Sequence, residues 1–251
     1  VRALEDLLKI EVPTGTWPLR RLLYCGEWLE SHALHVYMLH APDFLGYDSA
    51  IEMAADHPKE VERGIRLRGL GNDLMKVIGG RAVHPVSVAV GGFTKAPSVK
   101  ALKDLLPQLK QGIKDAQDTV KWVSQLPIPE FEMDYKFVSM HTEDQYPIEY
   151  ADGINIEGEK IIGLEEFEDY FHETHVAHSN ALQCRMKDGS SYQVGPLSRF
   201  NLYYDKLTPL AKEAAEQLGL MVPVKNPYQS ILVRTVEVLV ALEESIRLIK
   251  E

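Results

Sequence analysis

Cysteine is nearly missing from this 251-residue chain. Cys25 and Cys184 are the only two, too few for a disulfide scaffold, and neither belongs to a CxxC pair. Each is expected as a buried free thiol. Positive charge is also short: 27 lysines and arginines face 37 aspartates and glutamates, a net charge of −10. That excludes the basic footprint of a general nucleic-acid binder. No run approaches the roughly 18 apolar residues of a membrane span. No basic-then-apolar signal opens the chain, so a cytoplasmic, reducing compartment is the default. Internal repeats, low-complexity tracts and Gly/Ser linkers are likewise missing. What is there, 45% hydrophobic and 25% charged residues, is ordinary for a globular chain with a sizeable core and excludes disorder.

Periodicity predicts a mainly helical fold. Val1, Leu4, Leu7 and Leu8 share a helical face that ends by Pro13 and Gly15. Thr16 or Trp17 caps the next helix, with Pro18 in its first turn, and it runs from Leu19 to His40, closed by Pro42. A further helix spans about Pro58 to Ile78, interrupted by Gly64, Gly69 and Gly71. His84 to Phe93 reads as an irregular strand or close-packed loop. Ser98 to Leu126 is helical again, with a kink or boundary at Pro107. Phe131 to Met140 and the pair 154–156 and 160–162 are strand-like. A short helix from Leu164 to about His172 precedes a hairpin with Asp188-Gly189 at its turn. Helices over Pro209–Leu218 and from Pro227 to the last residue complete the chain. The expected fold is therefore a long-helix bundle, α+β, with a small antiparallel β portion inserted at about 131–195, and residues 1–251 as a single domain.

Four constellations could carry chemistry. Ser31-His32-Ala33-Leu34-His35 places two histidines three apart on one helix, with Glu27, Glu30 and His40 nearby. That spacing suits metal ligands, and it equally suits histidines bonded to neighbouring helices. His172, His175 and His178, beside Glu166, Glu168, Asp169 and Glu173, have the composition of a zinc or nickel site or of a solvated patch. Gly79-Gly80-Arg81-Ala82-Val83-His84-Pro85 followed by Gly91-Gly92-Phe93 is no nucleotide fingerprint. Its glycines imply close backbone packing or a loop lining a cofactor or subunit interface. Val194-Gly195-Pro196-Leu197-Ser198-Arg199 presents an arginine near a helix start, ready for an anion or for a buried ion pair. No GxSxG elbow and no cysteine–histidine neighbour is present.

Taken together and in order, VRALEDLLKIEVP at 1–13, ESHALHVYMLHAPDF at 30–44, GGRAVHPVSVAVGGFTKAPS at 79–98, HVAHS at 175–179, YQVGPLSRFNL at 192–202 and the final VRTVEVLVALEESIRLI resemble the large (alpha) subunit of nickel–iron hydrogenases. The resemblance is to the cytoplasmic multi-subunit subgroup of viologen- or deazaflavin-linked enzymes and sulfhydrogenases. It implies reversible oxidation of dihydrogen to protons and electrons, with electrons leaving through an iron–sulfur small subunit, then through further electron-transfer subunits. In that family the nickel–iron centre of the intact protein is held by four cysteines in RxCGxC and DPCxxC motifs. Neither motif is present, so the chain reads as an internal part, itself inactive and binding no nickel. The resemblance implies that Ser31, His32 and His35 lie beside the metals, with Arg199 a further supporting candidate, and that His84 faces the partner's iron–sulfur cluster. Membrane-bound relatives carry an acidic residue where Ser31 stands, and Ser198 replaces an alanine. Two other readings stand beside this one. One is a metal-free scaffold related to the complex I peripheral-arm subunit. The other is an unrelated helical protein binding metal through His172, His175 and His178.

Overall fold

The computed structural model describes all residues from Val1 to Glu251. Its helices and strands, in chain order, are α1 (Arg2–Leu8), α2 (Thr16–Leu34), α3 (Ala41–Leu45), α4 (Ala50–Asp56), α5 (Pro58–Gly79), β1 (Val88–Ala89), β2 (Gly92–Phe93), α6 (Val99–Asp104) and α7 (Leu106–Val123). They continue with β3 (Lys136–His141), β4 (Gly153–Ile156), α8 (Phe167–Tyr170), β5 (Phe171–Val176), β6 (Ser179–Met186), β7 (Tyr192–Gln193), α9 (Pro196–Tyr203), α10 (Pro209–Gln217) and α11 (Ser230–Lys250). The mainly helical expectation is met.

The last helix is the axis of the fold. Ile231, Val233, Val236, Leu239, Val240, Ala241 and Leu242 are all fully buried, so α11 is apolar around most of its circumference. Such a helix belongs inside a protein, with others packed about it; α2, α7, α9 and α10 surround this one. Its buried hydroxyls bond back to their own helix, Thr235 to the Ile231 carbonyl and Ser245 to the Ala241 carbonyl. Glu237 and Glu244 cannot do so. They sit seven residues apart, on one stripe of the helix, and each draws an arginine from a neighbour.

Against α2 lies α5, and the two approach closely through glycine. A Cβ added at Gly71 would stand 2.5 Å from both the Glu30 amide nitrogen and the Gly26 carbonyl oxygen. Gly64 lies equally tightly against the Tyr37 ring. The predicted interruption at Gly64, Gly69 and Gly71 does not occur: α5 runs unbroken from Pro58 to Gly79, and the missing side chains of Gly71 and Gly64 make room for α2 and for the Tyr37 ring.

Other expectations are corrected. The second helix does not stop at Pro42. After Leu34 the chain widens into a π-helical turn over His35–His40, in which the Ala41 N–H bonds the Val36 carbonyl five residues back. A proline at 42 has no N–H to give the carbonyl four residues back, and the wider turn dispenses with that bond. The helix resumes as α3 and ends at Gly46 with φ 79°. Gly15, not Thr16 or Trp17, precedes the first turn of α2, and no side chain caps it. Pro107 does mark a boundary, between α6 and α7. The strand predicted over Phe131–Met140 starts only at Lys136, because the preceding segment bonds the 225 loop through the Met133 N–H and the Lys225 carbonyl.

The β portion is mixed rather than wholly antiparallel. Its main sheet has the order β4-β3-β7, with β3 antiparallel to β4 and parallel to β7. Ile154 bridges Ile162 as predicted. The helix before the hairpin ends at Tyr170, not His172, because Phe171 is drawn into a small core with Val138, Ile156, Ile162 and Met186. The hairpin β5-β6 turns between Val176 and Ser179. Asp188-Gly189, with Gly189 at φ 83°, forms a tight turn after β6 instead, since the following strand leaves to pair with β3.

At the other end, α1 is fastened by one ion pair. The Arg20 guanidinium donates to both Glu5 carboxylate oxygens at 2.8 and 2.6 Å, and the Gly91 N–H adds a bond of 2.8 Å. Arg20 thus holds the Glu5 carboxyl down at about 2, from an ordinary 4.5. A carboxyl depressed on folding stabilises the fold above its unfolded pKa, and that stabilisation is lost as pH falls from about 4.5 towards 2. In NMR titration the Glu5 carboxyl should titrate near 2, and Arg20→Met should return it to the ordinary range. An unchanged value in that variant would refute the pairing.

Candidate functional site

The residues singled out by the sequence do not all converge. His32 and Arg199 do, through a residue the sequence reading missed. Arg199, in the first turn of α9, donates from Nε and Nη2 to the two oxygens of Glu237, each at 2.8 Å. His32 Nε2 donates to the same carboxylate at 2.7 Å, and the Tyr146 hydroxyl donates at 2.8 Å. Glu237 is completely buried. The arginine is therefore a buried ion pair, one of the two roles its position allowed.

Aromatic rings close this cluster. The Trp28 and His32 rings stack at 5.4 Å, and the Arg199 guanidinium lies over the Trp28 indole at 4.4 Å. Tyr146 meets Trp28 edge-on at 6.3 Å. Burial alone would raise the Glu237 pKa, but the charge and bonds of Arg199, with the His32 bond, hold it well below the carboxylate range. Burial is also the main force lowering the His32 pKa, opposed by Glu237. A neutral His32 facing an ionised Glu237 must carry its proton on Nε2. Its other nitrogen, Nδ1, is then a buried acceptor, and it has no partner. Burial pushes the Tyr146 hydroxyl well above its usual pKa.

Ser31 and His35 lie outside this cluster. His35 Nδ1 donates back to the Ser31 carbonyl at 2.7 Å, and its ring meets His40 edge-on at 5.9 Å. Burial, then the charge of Arg234, presses the His40 pKa down to about 4. His84 stands on an exposed loop after α5, at φ 53°. His172, His175 and His178 are exposed on the β5-β6 hairpin. No group of three or more histidine, cysteine, aspartate or glutamate side chains is arranged to hold a metal ion, which removes the support for a metal site at those three.

A second ion cluster lies one heptad along α11. Arg21 donates to Glu244 at 2.7 Å, to Glu149 at 2.9 Å and to the Tyr146 carbonyl at 3.2 Å. Beside it Cys25 is fully buried, its thiol pushed up to about 12 chiefly by burial. Such a thiol is inert. Cys184 is only half-buried, against expectation, because one face of its hairpin is open to solvent.

The signal for Glu237 and Glu244 was present: two carboxylates, seven apart, inside VEVLVALEES, where a buried helix has no use for unpaired charge. Glu149 and Tyr146 lie in a loop that carries no such signal.

No family model matches the chain. Curated relatives do. The alpha subunit of sulfhydrogenase 1 from Pyrococcus furiosus is 32% identical over 235 residues, 93% of this chain and 54% of that protein. The alpha subunit of sulfhydrogenase 2 from the same organism is 33% identical over 252 residues, 100% of this chain and 58% of that protein. One subunit of the vhu F420-non-reducing hydrogenase of Methanocaldococcus jannaschii is 28% identical, covering 85% and 56%. The chain spans little more than half the length of these relatives. Its fold is shared by a chain of an NAD+-reducing NiFe hydrogenase in the H2-reduced state, with TM-score 0.85, 22% identity and coverage of 96% and 59%. A NiFeSe hydrogenase from Desulfomicrobium baculatum shares it at TM-score 0.63, 15% identity and coverage of 96% and 63%.

Proposed function

We propose that this chain, homologous to hydrogenase alpha subunits along nearly its whole length, is part of the catalytic large subunit of a nickel–iron hydrogenase that oxidises dihydrogen reversibly. The observation that carries the reading is identity of 32 and 33% spread over 93 and 100% of the chain, rather than confined to one motif. The metal-free scaffold reading draws no support from relatives named as hydrogenase subunits.

Residues 1–251 do not themselves fit a nickel–iron centre. Soft thiolates are what such a centre requires; here one cysteine is a buried, protonated thiol and the other lies on a hairpin. The ligands would come from elsewhere in the intact protein, and the isolated chain would be inactive. What these residues do is support. Glu237 neutralises Arg199 and orients His32, Trp28 covers both, and together they make a dry, rigid block against which a neighbouring site can be held in place. Ser31 and His35, on the same helix, and Arg199 flank that site. Residues 1–251 act as one unit of the subunit. His84, exposed and at positive φ, faces an iron–sulfur small subunit, with further electron-transfer subunits beyond it. No helix of the chain is long and apolar enough to cross a membrane, and we take the assembly to be cytoplasmic.

The test is isotope exchange between D2 and water, which needs no electron acceptor. The longer protein that contains this chain, purified with its companion subunits, should exchange and should hold stoichiometric nickel. Residues 1–251 alone should do neither. Loss of both properties in the intact assembly would overturn the proposal.

A further inference from the structure

We propose that the cavity between α3 and the start of α11 binds an organic cation, an alkylated ammonium group seated in a corner of three aromatic rings. Three separate elements bring the rings together: Phe44 from α3, Phe131 from the segment before β3, and Tyr228 from the turn ahead of α11. Tyr228 stands nearly at right angles to both phenylalanines, at 76° and 6.5 Å from Phe44 and at 73° and 6.1 Å from Phe131. All three line one space of about 640 Å³, a volume ordinary for a small-molecule site. Phe131 and Tyr228 are 48% and 46% exposed, so their ring surface stays open to solvent rather than packed in the core. Rings set crosswise about one space offer a cation π surface from several sides, the arrangement that recognises an alkylated ammonium.

Charge in the lining has one sign. His40, Asp43 and Phe44 follow at spacings of three and four on one helical face, so Asp43 borders the same cavity as the Phe44 ring. Asp43 is exposed, and none of the chain's ion pairs includes it. No lysine or arginine lines the space. Burial, then the charge of Arg234, holds His40 down at about 4, so at neutral pH its ring adds no opposing charge. Arg234 itself is outside the lining. Met133, two residues beyond Phe131, lines the same space and adds a polarisable thioether. An alkylated ammonium answers this arrangement: its carbons pack on the rings, its charge meets their π surface, and Asp43 supplies the counter-charge. The site does not rest on the proposed hydrogenase activity, in which Phe44, Phe131 and Tyr228 have no part.

Ligand-observed NMR titration of the intact protein with choline tests this, the control being the neutral alcohol in which carbon replaces the choline nitrogen. Choline should bind saturably with a Kd of about 1 mM, within the range open to so small a ligand. The neutral isostere should bind at least about fivefold more weakly, having no charge to set against the rings. Tyr228→Leu, at an exposed position, keeps an apolar side chain and removes the π surface. It should weaken choline at least about fivefold and leave the isostere within about twofold. Asp43→Asn should weaken choline at least about twofold, the loss of one exposed counter-charge, and leave the isostere unchanged. Both positions are exposed, so thermal unfolding of the two variants should match that of the parent. Absence of saturable binding, an isostere as tight as choline, or choline affinity indifferent to either substitution would each overturn the proposal.

Discussion

Glu237→Ala should be among the most damaging single substitutions in the chain, lowering stability by about 3–5 kcal/mol, the cost of breaking a buried pair by removing one partner. The physical reason is the number of donors that one carboxylate satisfies. Without it the Arg199 guanidinium, the Tyr146 hydroxyl and His32 Nε2 all point at empty space. Water cannot readily follow, because Trp28 and Tyr146 cover the site and the residue is fully buried. Glu237→Gln keeps the shape and one acceptor and should cost less. The informative comparison is the pair Glu237→Met with Arg199→Met. Replacing both charges with apolar groups leaves neither stranded, so the double variant should be markedly more stable than the sum of the single losses implies. Urea unfolding of the intact protein measures all five variants. Additive losses would mean that the two side chains do not act as a unit.

Gly71→Ala and Gly69→Ala should move stability in opposite directions. Both positions lie inside α5, where alanine is a better helix former than glycine by about 1 kcal/mol. A Cβ at Gly69 meets nothing within 4 Å, so that variant should collect the gain. A Cβ at Gly71 lands 2.5 Å from two backbone atoms of α2, and backbone cannot turn aside as a side chain can. The helices must part, at an overpacking cost of about 1–3 kcal/mol or more that exceeds the propensity gain. Thermal unfolding of the two variants side by side gives the sign directly. Stabilisation by both would show that the α2–α5 crossing is looser than described.

Much of this was legible in sequence, and the exceptions share a cause. The long helices were read from local periodicity, and α11 from an apolar run after Pro227. Arg199 was found as a candidate, but its partner lies 38 residues away, and no local pattern encodes a pairing at that distance. The π turn at 35–40 was invisible because its only sign, Pro42, reads more simply as a helix stop. The hairpin turn was misplaced because Asp188-Gly189 has the better turn chemistry, while Ala177 and His178 have almost none. There, pairing of β5 with β6 outweighed local preference.

The two buried glutamates of α11 have a consequence for how the helix finds its place. An apolar helix in an apolar sheath has little to tell one depth of insertion from the next, and a slip of one turn, about 5.4 Å, exchanges one aliphatic contact for another. Glu237 and Glu244 remove that freedom. Arg199 on α9 and Arg21 on α2 fix two points a heptad apart, and any slip or rotation strands both carboxylates and both guanidiniums at once. The cylinder of valine and leucine supplies adhesion that is indifferent to position. The two pairs work like the wards of a lock, so that α11 seats at one depth and one angle.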